Sequence, residues 1–539
     1  MLVKLRFQGT FSSFRRGTLS ALVLAAAMPL APAPSRALDG ELGPAGTQFW
    51  TQSSAGLGIG PQSGAGFGAA LAAGDFNCDG FDDLAIGMPG DDLVGAAAGG
   101  RVLVLFSGVL GPVAIDRQIW SQNSPVIEDD GEPNDRFGSV LVAGDFNDDG
   151  CGDLAVGVPS EGIGSDADAG AVHVIYGSAD GLTGDDDDFF YQGLASINGV
   201  GEAGDRFGGA LAAGDFDGDG IDDLAIGSPG EDIEADSVTD AGAVHVLFGS
   251  ASGIVTAGQV LFYRGAGLTG SPQDDEQIGA VLVAGEFNPL TAGEELAIGV
   301  PHHDLGALDQ AGAVLLVADI DGALFDALYT EDTTGVPGVA EGADRFGAVL
   351  AAGDFDGDGI DELAVGDPVE DLEGPFIGDV GSVTVLDFDG DPDTQWTQDD
   401  LNPEHSELGD HFGGALAAAD FDADGIDDLA IGAPDESLGP VGQAGLLHVL
   451  YGTSGTGLDN DRDQIWLQTL DPSETGDGFA GALVAGHFSG HSGADLAIGA
   501  PGETDGAFSQ VGATNLLFSE ALFRDGFESG NISRWQANN

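Results

Sequence analysis

Short apolar runs alternate with acidic, glycine-rich turns along most of the chain, and the alternation repeats. Phe67-Gly68, Phe137-Gly138, Phe207-Gly208, Ile278-Gly279, Phe346-Gly347, Phe412-Gly413 and Phe479-Ala480 follow one another at spacings of 66 to 71 residues. A Gly-x-Pro comes after each, at Gly87, Gly157, Gly227, Gly299, Gly366, Gly432 and Gly499. A fixed period of this kind marks a repeat architecture. In the third copy the pattern predicts four strands: 207–216, 223–226, Ala243–Phe248 and 259–263. Runs this short between Gly, Pro and Asp turns are strands rather than helices. Apolar residues fall on both faces, as with Val244 and Val246 against Ala243 and Leu247. Sheets covered on both sides read this way, and blades stacked around an axis supply that cover. The small residues of the first strand suit the crowded position nearest the axis.

The fourth strand carries its own mark, at Gln118-Ile119-Trp120, Gln395-Trp396 and Gln464-Ile465-Trp466. The same mark stands ahead of the first copy, at Gln48-Phe49-Trp50, and none follows the last third strand at 513–518. Residues 47–52 are therefore expected to form the outer strand of the last blade, which closes a ring and removes an exposed edge. The expected fold is all-β: a seven-bladed β-propeller of four-stranded blades, closed by an N-terminal strand completing the last blade. It occupies 38–518, between a signal segment at 1–37 and a tail at 519–539.

Charge narrows the function classes. Lys4, Arg6, Arg15 and Arg16 precede an apolar stretch at 19–30, and Ser35-Arg36-Ala37 offers small residues for cleavage. That stretch is too short to span a bilayer, and no transmembrane segment is expected elsewhere. Export to the medium or cell surface follows, by a Sec or a twin-arginine route. Cleavage removes five of the 14 basic residues, leaving nine against 91 acidic ones, a formal charge of −82. Such a surface repels nucleic acid and anionic membranes and draws in cations. Cys78 and Cys151 lie in corresponding loops of adjacent repeats. Two readings stand open for them, a disulfide between the first two repeats or two separate small core residues.

Between the first and second strands of five copies lies D-x-[DN]-x-D-G-x-x-[DE]. The first two loops hold Asp75, Asn77, Asp79, Phe81 and Asp83, then Asp145, Asn147, Asp149, Cys151 and Asp153. The third and fifth copies hold Asp215, Asp217, Asp219, Ile221 and Asp223, and Asp354, Asp356, Asp358, Ile360 and Glu362. The sixth holds Asp420, Asp422, Asp424, Ile426 and Asp428. Calcium takes six to eight hard oxygens at about 2.4 Å, and alternate side chains of a tight loop converge to give them. Positions one, three and five would donate side-chain oxygen, position seven its carbonyl and position nine a carboxylate. Glycine at six permits the turn. The expectation is five calcium ions, because the fourth copy lacks the position-five acid and the glycine, and the seventh keeps one carboxylate.

Phe-Gly, Gly-x-Pro (literally Gly-Ala-Pro at Gly432-Ala433-Pro434 and Gly499-Ala500-Pro501) and the acidic hairpin together resemble the FG-GAP repeat of integrin α subunits over about 47–518. The resemblance implies a seven-bladed propeller with calcium hairpins on the lower face and partner binding on the opposite face. Loops of that face include 127–135 and 231–240, both acidic. Unlike in integrin α subunits, no leg domains, inserted domain or membrane anchor are expected. The tail, Phe523 to Gly530 and on to Trp535, resembles a C-terminal segment of exported proteobacterial proteins.

Other chemistry is sparse. His173, His245 and His448 recur at one place in the third strand and read as packing residues. His302-His303-Asp304 is a weak transition-metal candidate, and His487 and His491 sit in the degenerate seventh loop. Arg136, Arg206 and Arg345 each follow an Asp and are expected to hold the loop into a blade by ion pairing. The leading expectation is a monomeric, non-enzymatic binding or adhesion module for an extracellular protein or glycan. The alternatives are a polysaccharide lyase or hydrolase on a propeller scaffold and an envelope structural protein, since the fold alone does not decide.

Overall fold

The structure, a computed structural model, describes residues 42–519 except 116, 195, 234–236, 292, 321, 323, 372–377, 391, 402–405 and 469–472. The expected signal segment at 1–37 and the expected tail beyond 519 lie outside the described residues. Seven antiparallel sheets follow one another in sequence, each ordered from first strand to fourth. Blade one comprises Leu71–Gly74, Asp83–Met88, Arg101–Leu105 and Gln118–Trp120. Blade five comprises Val349–Gly353, Glu362–Asp367, Ser382–Leu386 and Thr394–Trp396. The second strand is buried along all six residues in every blade, as expected of the middle of a sheet covered on both faces. Blade three differs from the expected four strands: Gly267–Leu268 adds a short fifth, parallel to the end of Val255–Arg264.

The first strands pack on one another in ring order, and the last, Ala482–Gly486, meets Leu71–Gly74 of blade one. The two sequence markers explain that packing. A Cβ on Gly227 would lie 1.9 Å from the Gly279 carbonyl oxygen, and one on Gly499 would lie 2.2 Å from that of Gly68. Each Gly-x-Pro glycine thus abuts the Phe-Gly turn of the following blade, where no side chain fits. The Phe of that turn is buried, and Phe67, Phe137 and Phe207 pair in parallel with Gly512, Gly100 and Gly170 of the preceding blade.

Closure is as the Gln-x-Trp mark predicts. Leu42–Trp50 pairs antiparallel with Ala513–Ser519, with Gln48 opposite Leu516 and Trp50 opposite Thr514. It is the fourth strand of blade seven, outside Asp495–Ala500 and Ala482–Gly486. The open question of the cysteines is answered by a Cys78–Cys151 disulfide, Cα atoms 4.8 Å apart, tying the loops of blades one and two.

Candidate functional site

The five acidic hairpins share one geometry. In blade two, Asp145 accepts the amides of Asp149 (3.2 Å) and Gly150 (3.0 Å), one on each carboxylate oxygen. Asn147 Oδ1 accepts the Asp149 amide at 3.0 Å, and Asp149 accepts that of Cys151 at 2.9 Å. The loop is therefore wound around its own carboxylates before any ion is considered. Asp153 at position nine is fully buried and accepts the amides of Phe146 (3.0 Å) and Gly177 (2.7 Å). The second residue, outside the expected ligand set, plugs the hairpin into the core: Phe76, Phe146, Phe216, Phe355 and Phe421 are all buried.

Burial, reinforced by neighbouring loop acids, pushes Asp83 and Asp153 up to about 8, Asp223 to about 7 and Asp428 to about 9. Glu362 rises to about 8 for the same reason. Ligand oxygens of Asp215, Asp217 and Asp223 lie within 4.8 Å of one another, as do those of Asp354, Asp356 and Glu362. A cation with ligands at about 2.4 Å spans that distance. In blade six Arg462 donates to Asp422 at 2.8 Å and lies over the Tyr451 ring, a competing charge inside that loop.

The two degenerate loops fill the same register from within. In blade four the Thr291 hydroxyl donates to Glu295, and Asn288 donates its amide to the same carboxylate at 2.9 Å. In blade seven Ser489 meets His491 Nδ1 at 2.9 Å, and His491 stands 3.7 Å from Asp495. Position eight was not expected to matter, yet it stitches the ring. Asp222 accepts the Asp145 amide at 2.8 Å, Asp361 accepts that of Glu286 at 2.9 Å, and Asp82 accepts that of His487 at 2.7 Å. Each contact joins the hairpins of adjacent blades. The sequence signal was a carboxylate just before the position-nine acid.

On the opposite face one expectation fails. Arg136, Arg206 and Arg345 form no ion pair among the described residues; their φ angles are +61°, +56° and +64°. The acid ahead of each arginine holds the loop instead by accepting the amide three residues back, as Asp205 does from Glu202 at 2.6 Å. The hairpin of His302 and His303 is no paired-histidine site: His303 Nδ1 sits 2.8 Å from Glu276, which also accepts Arg264 Nε at 2.6 Å. His173, His245 and His448 are fully buried edge-on against Phe137, Phe207 and Phe412, packing residues as expected.

Five segments of the chain, 67–105, 137–175, 207–247, 346–386 and 412–450, match the FG-GAP repeat. They are the blades with a complete acidic loop. A phosphatidylinositol-glycan-specific phospholipase D of Bos taurus is 28% identical over 422 residues, 71% of this chain and 46% of that protein. Its Rattus norvegicus counterpart is 38% identical over 162 residues, 30% of this chain and 18% of that one. Integrin alpha-PS2 of Drosophila melanogaster is 34% identical over 190 residues, 34% of this chain and 12% of that protein. The chain thus spans less than half the length of these relatives. The expectation of a non-enzymatic module is corrected here, because relatives that match the chain bear the name of an enzyme. Propeller sequence alone carried no sign of this, since its acids are too numerous to single out a catalytic pair.

Proposed function

Starting from a chain that carries FG-GAP repeats on an integrin-like seven-bladed propeller, we propose an exported recognition module whose hairpins hold five calcium ions and whose opposite face binds an extracellular protein or glycan. The observation that carries the calcium part is the repeated loop itself. Five times over, three or more acidic side chains crowd one turn, and the ninth position is buried without a basic partner of its own. Charge concentrated in this way calls for a cation, and the all-oxygen donor set suits calcium. The acidic opposite face then bridges to partners through divalent ions or basic patches. Among the described residues no helix is long and apolar enough to cross a membrane.

The phospholipase relatives favour a second reading, in which the propeller serves hydrolysis of a phosphatidylinositol-glycan. Two measurements test the pair. Elemental analysis after dialysis against modest calcium should find the five hairpin ions, and two or fewer per chain would sink the calcium reading. A glycan and matrix-protein array, run with and without calcium beside an assay for release of a phosphatidylinositol-glycan anchor, separates recognition from hydrolysis. Calcium-dependent capture without release supports the first reading, and release supports the second.

A further inference from the structure

Across the blade junctions of the face opposite the hairpins, one polar pairing repeats. Two residues beyond the fourth-strand aromatic stands a donor, and two beyond the Gly-x-Pro proline stands its acceptor. Gln52 donates to Asp91 (3.2 Å), Gln192 to Glu231 (2.6 Å) and Gln398 to Glu436 (2.9 Å). Gln122 donates to Glu161 and Gln468 to Glu503 in the same way. Between blades three and four the donor is Arg264, and its carboxylate comes from Glu276, shared with His303. Six junctions thus match a donor to an acceptor.

The junction between blades four and five does not. Its donor position holds Glu331, its acceptor position Glu370, and the last residue of the second strand is Asp367. Elsewhere that last position is Met88, Val158, Ser228, Val300, Ala433 or Ala500, none of them charged. Glu331 is 3%, Asp367 0% and Glu370 7% exposed. Both oxygens of Glu331 and one of Glu370 lack a hydrogen bond, and Asp367 makes none of normal geometry, only a looser approach from the Val369 amide. Among the described residues no arginine or histidine pairs with the cluster; the neighbouring charges that act on it most strongly are Asp344, Glu341, Asp332 and Asp371, all acidic.

Carboxylates removed from water without a counter-charge either take up protons or hold a cation. Three side chains, each more than nine-tenths buried, converge here: one oxygen from each lies within 4.8 Å of the other two, close enough for a single ion at about 2.4 Å from its ligands to meet all three. With oxygen donors alone, the ion is a hard divalent one rather than a soft transition metal.

We propose that Glu331, Asp367 and Glu370 form an additional divalent-cation site at the junction of blades four and five, separate from the hairpin loops. The site would do for this junction what Arg264 does for its neighbour. It would join two blades on the face used for recognition, at a single place in the ring.

The test restores the chain's own pattern. The double variant E331Q/D367V gives this junction the Gln and Val that blades one and two present at Gln122 and Val158. After dialysis against calcium, elemental analysis should find one ion fewer per chain in the variant than in the wild type. Manganese, counted by its paramagnetic resonance, should show the same deficit. In chelator the variant should melt above the wild type, because it carries two fewer buried acids, and the gap should narrow in calcium. Equal ion counts in both metals would overturn the site and leave a protonated cluster. If the double variant fails to fold, the single E331Q carries the same ion-count test. Failure of the hairpin loops to bind would lower the count in both proteins alike and leave the difference intact.

Discussion

Gly227 shows how little room a blade junction leaves. Its missing Cβ would stand 1.9 Å from the Gly279 carbonyl oxygen, so Gly227→Ala must push two blades apart. The expected loss is about 3 kcal/mol or more, or failure to fold. Gly80 adopts φ +90° with open space around it, so Gly80→Ala should lose only about 1–2 kcal/mol of backbone strain. Denaturant midpoints separate the two, and equal losses would mean that close approach is not the constraint. A second residue-scale effect concerns protons. Burial, with Asp135 nearby, pushes Glu161 up to about 8, and burial raises Asp205 to about 7. Folding therefore binds protons, and the stability these groups give is full below about pH 4 and lost as pH climbs towards 8. Glu161→Gln should leave melting near pH 4 unchanged and raise it at pH 8 to 9. A gap between variant and wild type that is the same at both pH values would refute this. Residues of this kind were partly legible. The glycines announced themselves by period, but not the partner each one faces. The arginines after Asp135, Asp205 and Asp344 misled because an acid beside a base suggests a pair, while the carboxylate was already engaged by backbone amides.

At the scale of the element, the hairpin and the closing strand were readable for different reasons. The hairpin writes its acids at fixed offsets within nine residues, so the turn from Asp145 to Asp153 could be placed without a fold. The closing strand was readable through a misplaced mark, Gln48-Phe49-Trp50, with no copy of its own to belong to. What stayed hidden were contacts between elements some 70 residues apart, such as Asp222 on the Asp145 amide. A chain with no three-dimensional register gives no way to pair them. The lone Glu at 331 was hidden likewise, since its meaning depends on the glutamines at the same place in other blades. Removing 42–52 should bare the outer edge of Ala513–Ser519, and an unpaired edge recruits other chains. Size-exclusion chromatography should show association and lower melting; a monomer with unchanged melting would show that the strand is dispensable. Trp50→Ala should give a milder loss through reduced aromatic burial.

At the scale of the whole molecule, charge dominates. With 91 acidic residues against few basic ones, the ring repels itself, and the cations proposed above would offset part of that repulsion. Chelation should lower the melting temperature, and high salt should partly restore it by screening. Melting indifferent to both would argue against cation-dependent stability. The hydrophobic clusters span neighbouring blades in sequence order, so most of the ring is built from contacts close along the chain. The seam between blades seven and one is the exception, and at its outer edge the closing strand joins residues near 50 to residues near 515. During synthesis that segment emerges first and finds its place last. For the whole interval it is an unmatched β-strand waiting for a sheet not yet made, while six blades can already assemble. The ring is therefore a clasp that only a finished chain can fasten, and a polypeptide stopped anywhere before blade seven carries its own unfastened end as a mark of incompleteness.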